Sequence, residues 1–272
     1  MLKLLLIIIL IFNLIFNLNI ADAEDLKILG VIPVTWHSNI FPGKALADIN
    51  GKPMIQHVYE RAKLSKSLCD VIVATDDERI LKAVNNFGGK AVMTSINHRS
   101  GTSRVCEAAE LYCDNNINNI NAVINIQGGE PLLNPVMIDE VAESLSEPEV
   151  LCATLCREFK DLDEADNANK VKVVFDKNFN ALYFSRSIIP YRRRGTLTPV
   201  YYHIGIYGYK LEFLNLYVKL QITPLAETES LEQLKVLENG YKMRVKITDC
   251  EDESIAVVTP EDLERVRKIL TK

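Results

Sequence analysis

The chain lacks the cysteine patterns that build disulfide frameworks or zinc sites. Its six cysteines (Cys69, Cys106, Cys113, Cys152, Cys156 and Cys250) form no C-x-x-C pair, and none of its four histidines stands at ligand spacing from them. Each therefore reads as a small buried hydrophobe, a usage that fits a reducing compartment. No stretch is rich enough in glycine, serine or proline to act as a linker, which argues against two domains. Repeats and low-complexity tracts are missing too. Lysine and arginine total 31 against 36 acidic residues, for a net charge of −5, and they are spread along the chain. Without a basic footprint, nucleic acid is not expected as a partner. The pattern G-x-x-x-x-G-K-[ST] is absent, so the chain carries no Walker-type phosphate loop.

Long apolar runs are absent from all but one place. Met1–Ala23 holds one lysine, the apolar run Leu4–Phe12, hydrophobics broken by asparagine, and Ala21-Asp22-Ala23. This is the layout of a secretory signal peptide. An uncleaved membrane anchor through residues 1–20 is a second reading, and a start codon upstream of the true one is a third. The cysteine usage favours the anchor over the cleaved signal. The expected localisation is thus membrane-anchored or secreted, and cytoplasmic under the third reading. All three place residues 1–23 outside one folded domain at 24–272.

The chain as a whole is 48% hydrophobic and 25% charged, as one large α/β domain should be. Short β-rich runs at 28–33, 71–75, 91–94 and 122–127 alternate with helical patterns at 53–68, 78–87, 102–113 and 135–146. Such alternation builds a mostly parallel sheet with helices on both faces. The rhythm changes after Leu151. Runs at 171–175 and 181–184, separated by Asp176–Asn180, read as an antiparallel hairpin. A helix at 225–238 ends at Asn239-Gly240, and Thr259 caps a last helix with Glu261 and Asp262 in its first turn. The sheet is therefore expected to be mixed.

Ligands of such sheets collect at the carboxyl ends of the strands. There the run I-N-I-Q-G-G-E-P (124–131) breaks at Gly128-Gly129, and the first strand runs into a loop ending Pro42-Gly43-Lys44. A glycine followed by lysine can cradle phosphate, and by itself it is equally a turn with a solvated lysine.

A set of motifs in order carries more. Pro42-Gly-Lys-Ala-Leu46, Gly51-Lys-Pro-Met-Ile55, Val73-Ala-Thr-Asp76, His98-Arg-Ser-Gly-Thr102 with Arg104, Asn125-Ile-Gln-Gly128 with Glu130-Pro131, Leu182-Tyr-Phe-Ser-Arg186 with Ile189-Pro190, His203-Ile-Gly-Ile-Tyr207, Leu231-Glu-Gln-Leu234 and Thr259-Pro-Glu-Asp-Leu-Glu264 together resemble the CMP-Kdo synthetases, the 3-deoxy-manno-octulosonate cytidylyltransferases. The resemblance runs from about Lys27 to Lys268. It implies a three-layer α/β/α nucleotidyltransferase fold with a mixed central sheet. It also implies a reaction in which the 2-hydroxyl of the acid sugar Kdo attacks the α-phosphorus of CTP, giving CMP-Kdo and diphosphate, a precursor for lipopolysaccharide or other Kdo glycans. Transfers of this kind run on positioning and charge neutralisation, with Mg²⁺ as the family's cofactor.

Residue by residue, the resemblance assigns Lys44 to catalysis and Ser38, Lys44, Thr75, Arg104 and Gln127 to the nucleotide, CTP or CMP. Gln127, Arg186, His203, Glu232 and Gln233 fall to the sugar acid. It further implies a homodimer, with Val171–Arg186 as the shared surface, and membrane attachment through residues 1–20. Departures are concentrated at the phosphate end. The family's first loop reads P-A-R-x-x-S-x-R-x-P-G-K, and Thr35 and Ile40 stand at the two arginines. Its Q-G-D-E-P and V-D-T-P-E-D-L are Gln127-Gly-Gly-Glu-Pro131 and Val257-Val-Thr-Pro-Glu-Asp-Leu263, so Gly129 and Val258 replace the two metal-holding aspartates. No metal ligand is assigned, and Mg²⁺ binding is expected to be weak or absent; Glu130, Asp252 and Glu253 are the nearest acids that could substitute. The alternative function is a catalytically inactive relative that binds the sugar acid or cytidine nucleotide. A relative acting on CMP-sialic acid or another polyol is disfavoured by Leu182–Pro190 and Leu231–Leu234.

Overall fold

The computed structural model describes residues 26–115, 120–193, 198–250 and 255–271. The N-terminal segment expected to be a signal or anchor lies outside them, as do Asp252 and Glu253. Among the described residues, no helix is long and apolar enough to cross a membrane.

Strand β1 (Ile28–Val34) alternates its side chains between two buried faces, and this splits the core in two. Leu29 and Val31 pack with Ile72 and Ala74 against Val105, Ala108 and Ala109. Ile28 and Ile32 pack on the other face with Ile55, Val58, Ile80, Met137 and Val141. The first helical layer is α3 (Gly101–Asn115); the second is α1 (Met54–Ala62), α2 (Glu78–Asn86) and α4 (Pro135–Leu145). This is the expected three-layer α/β/α arrangement.

The remaining early strands are the two-residue pair β2 (Asp48–Ile49) and β3 (Lys52–Pro53), β4 (Leu68–Thr75), β5 (Ala91–Met93) and β6 (Ala122–Asn125). In the second half come β7 (Cys152–Glu158), the hairpin β8 (Lys172–Phe175) with β9 (Ala181–Ser185), β10 (Tyr201–Lys210) and β11 (Arg244–Ile247). The sheet runs β11-β7-β10-β6-β1-β4-β5. Pairing is parallel from β6 through β1 and β4 to β5. It turns antiparallel where β10 joins β6, β7 and β8, so the sheet is mixed as expected. Residues 126–131 leave the carboxyl end of β6 near the middle of this order.

The remaining α-helices among the described residues are α5 (Leu211–Tyr217), α6 (Pro224–Glu229), α7 (Leu234–Glu238) and α8 (Pro260–Leu270). Helix α8 starts with a full capping box between Thr259 and Asp262. Its Leu263 and Val266 pack with Ile49, Met54, Leu132 and Val257 in a small separate cluster. That packing carries residues 257–258 to the end of β6.

Two sequence expectations need correction. Helix α1 stops at Ala62 rather than Leu68, because the Asp139 carboxylate of α4 captures Ser65 Oγ and the backbone N–H groups of Lys66 and Ser67. The helix expected over 225–238 is broken: Ser230 adopts a left-handed conformation (φ 51°) and separates α6 from α7. The cysteines also differ. Cys106, Cys152 and Cys156 are buried, Cys113 and Cys250 only partly, and Cys69 is exposed at the charged start of β4, near Lys27 and Asp70.

Candidate active site

The carboxyl ends of β1 and β6 open onto a cavity of about 290 Å³. Its wall takes Thr35, His37, Ser38 and Lys44 from the first loop, Gln127, Gly128 and Gly129 from the end of β6, and His98 to Gly101 from the start of α3. The loop is held by Trp36, whose ring lies against Gly43. Gly43 has φ 70°, and a Cβ there would come within 2.8 Å of the indole. The guanidinium of Arg79 covers the same ring at 3.4 Å from its centroid, anchored in turn by Asp77. Clamped this way, the turn delivers Lys44 to the cavity floor. Ser38 Oγ accepts from the N–H groups of Ile40 and Phe41 and keeps its own proton to give. Ile40 turns outward and is 59% exposed.

At the floor, three separate chain segments meet. Val257 N–H donates to Gly129 O at 2.8 Å, and Lys44 Nζ donates to Val257 O at 2.7 Å. A Cβ on Gly129 would sit 3.6 Å from that ammonium. Burial pulls Lys44 below the ordinary lysine range, opposed by the charges of Glu130 and Asp262. The described residues here do not fit a magnesium ion, which takes hard oxygen ligands and chiefly carboxylates. Position 129 has no side chain, Val258 is apolar, Glu130 does not line the cavity, and Asp262 Oδ2 is committed to the N–H groups of Val258 and Thr259.

A second, larger cavity of about 800 Å³ adjoins the first along Arg99, Ser100 and Gly101, which line both. The break at Ser230 makes it, because it turns Glu232 and Gln233 inward between α6 and α7. Glu232 faces this cavity while accepting from Thr102 Oγ at 2.7 Å and from Tyr217 OH at 3.4 Å. Burial pushes its carboxyl above the ordinary range, against those two hydrogen bonds. Lys235 joins Arg99 as a cationic side chain lining this cavity. Gln233 accepts from Tyr207 OH, and its Nε2 is buried with no partner among the described residues.

Of the other residues implicated by sequence, Thr75, His203 and Arg186 stand behind the walls and Arg104 only reaches one. Thr75 is fully buried and accepts Thr94 N–H and hydroxyl on its carbonyl. Arg104 reaches the first cavity, yet its guanidinium is engaged by Asp76 at 2.6 Å and by Thr94 at 2.5 Å, and the ion pair is buried. His203 lies inside β10, edge-on to Phe184, with Nε2 2.9 Å from Thr154 Oγ. The Thr154 hydroxyl approaches Ile206 O at 2.7 Å, so the imidazole is the donor in the His203 pair. Burial holds His203 down to about 3, and it is neutral. Arg186 lines neither cavity: it spends its donors on the carbonyls of Glu229, Ala168 and Ser230 and so fastens the hairpin to the end of α6.

Arg99 is the residue that motif reading passed over. It is exposed, sits where the two cavities meet, and takes no hydrogen bond or ion pair among the described residues. Its place inside His98–Thr102 was the only signal. Thr102 and Asp76, which orient Glu232 and Arg104, were quoted in motifs without a role.

Comparison with known proteins matches residues 29–247 to the cytidylyltransferase family. The chain is 48% identical over 248 residues to the 3-deoxy-manno-octulosonate cytidylyltransferase of Thermodesulfovibrio yellowstonii, covering 88% of this chain and 96% of that one. It is 49% identical to the 8-amino-3,8-dideoxy-manno-octulosonate cytidylyltransferase of Shewanella halifaxensis, covering 86% and 94%. A solved CMP:2-keto-3-deoxy-manno-octonic acid synthetase complexed with CTP superposes with a TM-score of 0.83 at 39% identity, over 90% of this chain and 98% of that one. The 4-diphosphocytidyl-2C-methyl-D-erythritol synthase of Anaerococcus prevotii (TM-score 0.57, 13% identity, 92% and 100% covered) shares the fold alone.

Proposed function

The chain belongs to the cytidylyltransferase family, and on that premise we propose that it pairs CTP with a Kdo-like acid sugar for synthesis of the CMP-sugar. The observation that carries this reading is the meeting of the two cavities along Arg99–Gly101, the first floored by Lys44 and the second faced by Glu232. A nucleotide in the first cavity places its phosphates at Lys44 and the Gly128-Gly129 turn. A sugar acid in the second finds Glu232 for its hydroxyls and Arg99 or Lys235 for its carboxylate. In the transfer, a sugar hydroxyl oxygen bonds to the α-phosphorus as the bond to the β-phosphate breaks, and the hydroxyl proton leaves with the diphosphate. The protein's part is to align the two substrates and offset charge. CTP bound in the structural neighbour and the naming of the relatives support this substrate pair.

A second reading, binding without turnover, is favoured by one feature. The phosphate end has an ammonium already bonded to Val257 O and no carboxylate at 129 or 258. Incubation with CTP and Kdo, followed by chromatography for the CMP-sugar, separates the readings. Product accumulation supports the first; calorimetric binding of both ligands with no product supports the second; binding of neither refutes both. Leu182, 61% exposed on the hairpin, supports that hairpin as the shared face of a homodimer.

A further inference from the structure

The wall of the first cavity draws five nitrogen-bearing cationic or basic side chains, Lys44, Arg99, Arg104, His37 and His98, and no described aspartate or glutamate. Arg104 is balanced by Asp76 behind the wall. That leaves Lys44 and Arg99 as the unpaired cations of the wall among the described residues, with the carboxylates of Glu130 and Asp262 acting on Lys44 from outside it. The floor offers a divalent ion no described side-chain carboxylate on the wall, and its two backbone oxygens are already engaged: Gly129 O accepts from Val257 N–H, and Val257 O accepts from the Lys44 ammonium. Any cation brought there inside a metal–nucleotide complex would approach the ammonium with no carboxylate on the wall between them. A metal-free triphosphate would instead meet Lys44 directly, and it carries its full charge. Bound Mg²⁺ cancels half of that charge.

We propose that Lys44 is a resident counter-cation, so that this chain takes cytidine nucleotide as the metal-free anion and Mg²⁺ weakens the binding. The inference rests on the reading of the first cavity as the nucleotide site. A charge pair lost near a protein surface changes affinity on the order of tenfold. Position 129 offers a clean control, because its backbone is not left-handed and an added Cβ would meet only Val257 O at 3.5 Å and Lys44 Nζ at 3.6 Å. A carboxylate there has room, neutralises Lys44 and supplies an oxygen ligand.

The test is titration calorimetry of the full chain with CTP at matched ionic strength, in EDTA and in excess Mg²⁺. Wild type should bind about tenfold more tightly in EDTA. Gly129→Asp should reverse the order, and Lys44→Gln should abolish the difference. Tighter wild-type binding with Mg²⁺ overturns the inference alone and leaves the nucleotide reading standing, as does a Lys44→Gln variant that keeps the EDTA preference. No CTP binding in either buffer overturns both.

Discussion

Replacing His203 with glutamine should flatten the acid side of the protein's stability curve. The imidazole is buried in β10, with Phe184 against its edge, Tyr207 on its other side, and Thr154 Oγ 2.9 Å from Nε2. Burial lowers its pKa from 6.5 to about 3, so the folded protein keeps it neutral while the unfolded chain protonates it below about 6.5. Protons then favour the unfolded state: stability is present above the unfolded value and is lost as pH falls. Each pH unit below that value removes about 1.4 kcal/mol, so the residue costs the fold about 2 kcal/mol between pH 7 and pH 5. Glutamine keeps an N–H for Thr154 and takes up no proton. Urea unfolding of both proteins at the two pH values gives the answer as a difference of differences, in which shared titrations cancel. Wild type should lose about 2 kcal/mol more than His203→Gln over this interval. Equal losses would refute the claim that His203 is buried and neutral, and would return it to the candidates for holding an anionic sugar.

The double glycine should show opposite tolerances. Gly128→Ala drives a Cβ to 2.2 Å from Val34 and 3.0 Å from Pro33 O, an overpacking worth about 1–3 kcal/mol, whereas Gly129→Ala should change unfolding free energy by less than about 0.5 kcal/mol. Equal effects in denaturant would contradict the described geometry. Asp76→Ala leaves the Arg104 charge buried and unpaired and should cost about 3–5 kcal/mol; a loss below about 1 kcal/mol would show the pair to be dispensable. Arg99→Ala should leave the melting temperature in place, because the side chain is exposed, and should weaken CTP or sugar-acid binding about tenfold. Unchanged affinity for both ligands would remove Arg99 from the site.

Sequence was most informative where a local signal had a local cause. The apolar run at 28–33 and the Thr259-Pro-Glu-Asp cap became β1 and α8 because a continuous apolar run suits a strand buried on both faces and a capping box needs only neighbouring residues. Boundaries set from a distance were illegible: Asp139 ends α1 across more than seventy residues, and no sequence pattern marks Ser230 as left-handed. The same distinction runs through the site. Lys44, Ser38, Gln127 and Glu232 line cavities, since loops at strand ends and the α6–α7 break expose them. Arg186, His203, Thr75 and Gln233 lie behind the walls, because remote partners such as Glu229 and Thr154 claim them. The juxtaposition of Gly129, Val258 and Lys44 could be inferred from resemblance, but the Lys44–Val257 bond that fills the space could not.

The most direct measurement is diphosphate release from CTP and Kdo by wild type and by Gly129→Asp/Val258→Asp, each with and without Mg²⁺. Wild-type turnover should lie well below the enzyme range of about 1–10³ s⁻¹ and should not rise with Mg²⁺, whereas the double variant should be faster and Mg²⁺-stimulated. Wild-type turnover within that range, rising with Mg²⁺ and unimproved by the two aspartates, would contradict that expectation.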